Sequence, residues 1–292
     1  MASPVEVSAH LSILQYAAVV AAAVSFLAAF WFQFRELGNQ KTQANAAAEC
    51  NWLVRSPNPA VVNGVFLTAL LLVSRMVDAH SMTLPLADYF DAFLLLGLVL
   101  SMLWAYLQWT RYLRALAAFL LPMIFAVLVV GMMLGALGYQ HFDAHNPWVA
   151  AHIASVLLGT ASFAAGCVGG MAYLLADRRL KKRGQIGWNL FSLPSLASIE
   201  KFTRHAIVLG FALLTVAAIT GIFRAVRDPR LMGSHWYLSP KVVLTAVVWL
   251  VYGLLLNMRL VPILRGARCA WLSIIGFALL MAIFAVMFVK AG

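Results

Sequence analysis

Eight long apolar runs constrain this chain more than any other feature. They lie near residues 11–32, 60–77, 89–109, 114–136, 148–175, 205–226, 239–260 and 267–289. Each is close to the roughly 20 residues that an α-helix needs to cross the hydrocarbon of a bilayer. In lipid, an open chain can satisfy its backbone N–H and C=O groups only within helices. The runs are continuous rather than alternating, which excludes a membrane β-barrel. The expected fold is therefore all-α: a polytopic integral membrane protein of eight transmembrane helices, forming a single domain over residues 1–292.

Composition and charge agree with the runs. The chain is 63% hydrophobic and 11% charged, against about 45–50% and about 25% in soluble domains. That excludes a soluble enzyme, a disordered chain and a disulfide-stapled secreted domain. The net charge of +11 reads as basic loops at a membrane face. No nucleic-acid partner is expected, because no soluble element of useful size gathers the Lys and Arg. The loops after the first, third, fifth and seventh runs carry 3, 2, 7 and 3 of the 21 basic residues, 15 in all. The positive side of a multi-pass protein is cytoplasmic. Both termini are thus expected outside, in a cytoplasmic (inner) membrane. Residues 1–10 lack the basic region of a cleavable signal peptide, so the first run is expected to be retained. The longest inner loop is 176–204. Within it Pro194–Phe202 reads as a short interfacial helix, with Leu196, Ile199 and Phe202 at threefold spacing.

Chemistry-bearing residues are few. Of the histidines His10, His80, His141, His145, His152, His205 and His235, only His205 falls at the inner side. None has the spacing of HExxH or of a structural zinc site. Cys50, Cys167 and Cys269 form no CxxC and no CxxCH, which argues against a thiol–disulfide catalyst and a c-type cytochrome. No side chain stands out as a nucleophile, so no catalytic residue is assigned.

His152 follows Trp148 by four residues and shares its helix face. The pair is either an interfacial belt tryptophan beside a hydrogen-bonded histidine, or two rings flanking a flat aromatic ligand. His235, Trp236 and Tyr237 stand together just before the seventh run, in the stretch ending at Lys241. They form either an aromatic belt or a platform that stacks a planar cofactor. Asp88 and Asp91 open the third run. A carboxylate there is a functional candidate or a stabiliser of the helix N-terminus, and Arg75 could pair with one of the two. Asn257 reads as deep in the seventh run, where it needs a polar partner on another helix or on a ligand. Ser162, Gly166 and Gly170 read as a small-residue ridge for close helix packing.

Several stretches together resemble one family, the CcsA/HemX-type cytochrome c assembly proteins, which also include CcmC. The stretch from Trp148 to His152 is similar to that family's tryptophan-to-histidine motif at the outer start of a span. Residues 172–183, AYLLADRRLKKR, resemble its basic exit from that span. Residues 193–224, LPSLASIEKFTRHAIVLGFALLTVAAITGIFR, and 249–271, WLVYGLLLNMRLVPILRGARCAW, resemble its later segments. Arg75, His80 and LADYFDAFLLL (86–96) resemble the start of another span. The likeness covers about residues 70–292.

The resemblance implies a b-type haem held non-covalently at the outer face, in support of cytochrome c maturation. His152 would be an axial ligand to the iron, and His235 a possible second one. Trp148, Trp236, Tyr237, Asn257 and Asp91 are further cofactor-binding candidates. Other cytochrome c maturation proteins or apocytochrome c would be partners, beside haem and the lipid bilayer. The family's tryptophan-rich loop is represented here by one Trp, with Ser239 before Pro240-Lys241, and Asn257 stands where the full synthetase has a membrane histidine. These differences imply the shorter HemX-like branch, for which regulation of haem biosynthesis through the loop 176–204 is the alternative. A small-molecule transporter is a third reading, with no inverted repeat to support it.

Overall fold

The computed structural model describes residues 13–43, 58–78, 89–110, 114–136, 146–181, 195–227, 236–257 and 266–289. These residues form eight α-helices: α1 (Ile13–Gln43), α2 (Pro59–Asp78), α3 (Tyr89–Trp109), α4 (Arg114–Ala136), α5 (Pro147–Lys181), α6 (Leu196–Arg227), α7 (Pro240–Leu256) and α8 (Ala267–Val289). A 3-10 turn, Trp236–Leu238, precedes α7. All the helices except α7 contain a stretch long and apolar enough to cross a membrane. The chain is a multi-span, all-helical membrane protein. At 17 residues, α7 is about 26 Å long, just short of the roughly 30 Å hydrocarbon core.

Local chemistry sets the helix starts. Pro59, Pro147 and Pro240 sit in first turns, where the missing N–H is harmless. Asn58 Oδ1 accepts from the Ala60 N–H at 3.1 Å, and Asn146 Oδ1 from the Trp148 N–H at 3.0 Å. Ser195 Oγ accepts from the Ser198 N–H at 3.3 Å. Each cap satisfies a donor that the first turn leaves without a partner.

Sequence neighbours pack antiparallel. Asn63 of α2 meets Ser25 of α1, and Arg75 of α2 meets Asp91 of α3. In the second half, the pairing of α5 with α6 runs from His152 against Ala217 to Gly169 against Thr203. One apolar cluster joins α1–α5 and the start of α6, and a second joins α5–α8. Helix α5 belongs to both and touches α3, α4, α6 and α8. Small residues make that possible. A Cβ at Gly170 would lie 2.8 Å from the Ala270 carbonyl oxygen and overlap Ser273 Oγ. The expected ridge is shifted: Gly166 and Gly170 face α6 and α8, whereas Ser162 bonds back to the Leu158 carbonyl.

Two expectations need correction. The segment expected as a separate interfacial helix is the first part of α6, which begins at Leu196 rather than near 205. Ile199 is fully buried, and Leu196 and Phe202 pack on the same cluster as Ala172 and Ala176 of α5. The threefold apolar spacing thus serves a helix contact, not a lipid surface. Helix α5 likewise continues to Lys181, so the connection between them is much shorter than 176–204. At 35 and 32 residues, α5 and α6 are about 52 and 48 Å long and overrun the hydrocarbon.

Candidate functional site

A cavity of about 630 Å³ opens between α5, α6, α7 and α8. Its volume falls within the roughly 300–1,000 Å³ of small-molecule sites. From α5 come His152, Ser155, Gly159 and Phe163; from α6, Leu214, Ala217 and Gly221; from α7, Lys241, Thr245 and Trp249; from α8, Leu280, Ile283 and Phe284. The lining is apolar apart from a few groups, chief among them His152 and Lys241. Both stand near the starts of their helices, so the cavity lies towards one end of the bundle. That end carries Arg75, Arg224, Arg227 and Lys241 among the described residues, while the opposite end carries Arg35, Arg178, Lys181, Lys201, Arg204 and Arg268.

His152 is half-buried and tied to α6. Its Nδ1 lies 2.9 Å from the Ala217 carbonyl oxygen and 3.2 Å from Thr220 Oγ1. A carbonyl only accepts, so Nδ1 carries the proton and donates. In its neutral form the ring presents Nε2 as its lone-pair nitrogen. Thr220 Oγ1 is held by the Val216 carbonyl at 2.8 Å. Gly221 lets the imidazole lie against α6, since a Cβ there would come within 3.2 Å of Cε1.

The far end of the cavity is walled by packed rings. The Phe163 ring stacks on the fully buried Tyr252 ring with centroids 3.6 Å apart and planes at 19°. Trp249 Nε1 donates to Thr215 Oγ1 at 3.1 Å, and its ring lies 5.3 Å from that of Phe211. These contacts fix two flat aromatic walls.

Among the described residues singled out from the sequence as site candidates, His152 alone lines this cavity. Trp148 packs its ring on Phe223 of α6, centroids 4.4 Å apart, and Arg227 caps Phe223 from 4.5 Å. Tyr237 is exposed. Trp236 belongs to the short turn before α7, and His235 lies outside the described residues, as do His80 and Cys50. Asp91 is buried in an ion pair with Arg75, Nε to Oδ1 at 2.8 Å, and Arg75 also lies over the Phe90 ring. Asn257 is not deep in a span. It is the exposed C-cap of α7, and its Nδ2 donates to the Gly253 carbonyl of its own helix at 2.9 Å. Helix α7 ends earlier than its apolar run, which moves Asn257 from the interior to a helix end.

Sequence reasoning passed over Ala217, Thr220, Gly221, Trp249 and Phe163. Ala217 acts through its carbonyl, for which side-chain patterns hold no signal. Gly221 and Thr220 sit in an ordinary apolar run. Lys241 was visible as the last residue of the aromatic stretch before α7, but nothing there linked it to His152.

Residues 86–292 match the family described as Cytochrome C assembly protein. The chain belongs to the cytochrome c assembly protein family. It is 24% identical to the cytochrome c biogenesis protein CcsA of Heterosigma akashiwo over 230 residues, covering 66% of this chain and 70% of that one. It is 23% identical to CcsA of Nymphaea alba over 256 residues, 78% and 81% of the two chains. A shorter stretch of 82 residues, 28% of this chain and 25% of the relative, is 34% identical to CcsA of Porphyra purpurea. All three relatives carry the CcsA name rather than that of the HemX-like branch. No solved structure matches the chain.

Proposed function

We propose that this protein serves cytochrome c maturation by holding haem non-covalently in the His152 cavity and presenting it at the outer membrane face. The observation that carries the reading is the state of His152. The ring lines an apolar cavity, its Nδ1–H is used by the Ala217 carbonyl, and in the neutral ring the lone pair is left on Nε2. Histidines that bind metals commonly donate their other N–H to a carbonyl, which fixes tautomer and ring orientation. Trp249 and Phe163 supply flat walls, and the apolar lining excludes water. Among the described residues no group of three or more His, Cys, Asp or Glu side chains could hold a bare metal ion.

Haem, when bound, supplies the iron and its redox chemistry. The chain's own part is to ligate, orient and shield. His235, immediately before the turn that leads into α7, is the proposed second ligand. The cytoplasmic membrane and outward termini are part of the same reading, supported by the excess of basic residues at the end opposite the cavity. Absorption spectroscopy of the purified protein tests it. Added haem is expected to give a Soret band that His152→Ala strongly weakens. No Soret band in the wild-type protein would refute the assignment.

A further inference from the structure

The walls of the cavity are unequal. Its lining residues on α5 and α8 are all buried or half-buried. On α6 and α7 the lining includes side chains that also face out of the bundle: Ile219 is 61% exposed, Ile222 51% and Leu250 63%, and Ala246 is exposed as well. Helices α5 and α8 therefore form the back of the cavity, which opens sideways through a slot between α6 and α7. The bond from Trp249 to Thr215 spans the deep end of that slot. Beyond it Phe211 of α6 packs against Trp249 and Gly253 of α7, so the two helices touch there and part towards the His152 end. About one turn from the bond in that direction, Ile219 and Ala246 stand level on opposite lips. Ala246 and Leu250 lie about 9 and 15 Å along α7 from Pro240 at 1.5 Å per residue, depths within the hydrocarbon. The neighbouring exposed side chains, Val216, Val243 and Val247, are apolar too.

We propose that this slot is the ligand's entry route: the porphyrin reaches the His152 cavity sideways from the bilayer, where it dissolves among the lipid tails. The proposal rests on the haem reading and adds how the ligand gets in. A flat macrocycle buries most of its apolar surface in hydrocarbon. Passing edge-on between Ile219 and Ala246, it exchanges lipid contacts for cavity contacts and never exposes its faces to water. The lips carry no polar group that the passage would have to desolvate. Helix packing suits such a passage. Helix α6 packs more extensively on α5, and α7 on α8, than α6 and α7 pack on each other. The slot can therefore widen by a small movement of one packed pair against the other, with both pairs kept intact. The Trp249–Thr215 bond stays as the fixed lower edge.

The test closes the slot reversibly. Ile219→Cys and Ala246→Cys are introduced together with Cys50→Ala, Cys167→Ala and Cys269→Ala, and the two new thiols are bridged by a flexible bis-methanethiosulfonate. The full chain is placed in phosphatidylcholine vesicles carrying iron protoporphyrin IX. Capture is followed at the Soret band, and release by transfer to a soluble haem-scavenging protein. Bridging is expected to slow capture and release alike by about tenfold or more, equivalent to about 1.4 kcal/mol on the barrier. The final Soret amplitude is expected to stay the same, because closing a route changes barriers and not end states, and a phosphine reductant should restore both rates. A bridged protein that captures haem at the unbridged rate would overturn the proposal, leaving entry from water and a lipid tail as the occupant of the slot. A bridge that lowers the final amplitude would also overturn it, placing Ile219 and Ala246 against the bound ligand instead of on its route. Should the bridge not form, Ala246→Trp narrows the slot from an exposed position. It is expected to slow capture about threefold at unchanged affinity, and unchanged rates would count against the route. If the unbridged protein gives no Soret band, the haem site itself fails, and the entry route with it.

Discussion

Replacing Gly221 by valine should weaken haem binding about tenfold while leaving the helical bundle intact. A Cβ at Gly221 would stand 3.2 Å from Cε1 and 3.5 Å from Nδ1 of His152. Alanine is accommodated if the ring yields by a few tenths of an ångström. Valine's γ-carbons reach one bond further and occupy the space the imidazole fills, so the ring must swing away from α6. It then gives up the 2.9 Å bond from Nδ1 to the Ala217 carbonyl. A hydrogen bond of this kind contributes about 0.5–1.5 kcal/mol. A ring forced off its preferred rotamer costs about the same again. Together these effects are about 1–3 kcal/mol, and each 1.4 kcal/mol is about tenfold in affinity. The assay is haem titration followed at the Soret band in the series Gly221, Gly221→Ala and Gly221→Val, with thermal unfolding in detergent as a check on folding. Affinity should fall slightly at alanine and steeply at valine. A folded valine variant with wild-type affinity would show that the tie between His152 and α6 does not orient the ligand.

Three further outcomes follow from the packing. Gly170→Val should destabilise the bundle by about 1–3 kcal/mol, because the added atoms meet the backbone of α8 and cannot be accommodated by a rotamer change; Gly159→Ala, whose Cβ makes only ordinary contacts, should be near neutral in the same unfolding assay. Asp91→Ala should cost about 1–3 kcal/mol by removing the buried carboxylate that pairs with the half-buried Arg75 guanidinium. The doubly neutral variant Arg75→Met, Asp91→Leu should recover much of that loss, and failure to do so would locate the effect in packing. Asn257→Ala should leave the haem titration unchanged, since Asn257 bonds only to its own helix end and lies outside the cavity lining; a large drop in affinity would return it to the site.

The sequence by itself determined the membrane class and where most of the described helices lie. Apolar runs of bilayer length admit no other secondary structure in lipid. His152 stood out as a candidate, through its spacing from Trp148 and its likeness to a family motif. The sequence offered Asp88 or Asp91 as a partner for Arg75, and the structure pairs Arg75 with Asp91. Tertiary structure decided the rest. Trp148 and His152 share a face, yet one packs on Phe223 and the other turns to Ala217, so their spacing built a helix contact rather than a two-ring clamp. The first turns of α6 looked interfacial, because an apolar stripe reads the same whether lipid or a neighbouring helix covers it. The meeting of His152 with Gly221, Lys241 and Trp249 depends on how four helices cross. A one-dimensional pattern records which residues are apolar and how they are spaced along one helix. It does not record which helix lies opposite, and it is that opposition that gave an ordinary glycine and a backbone carbonyl their roles beside His152.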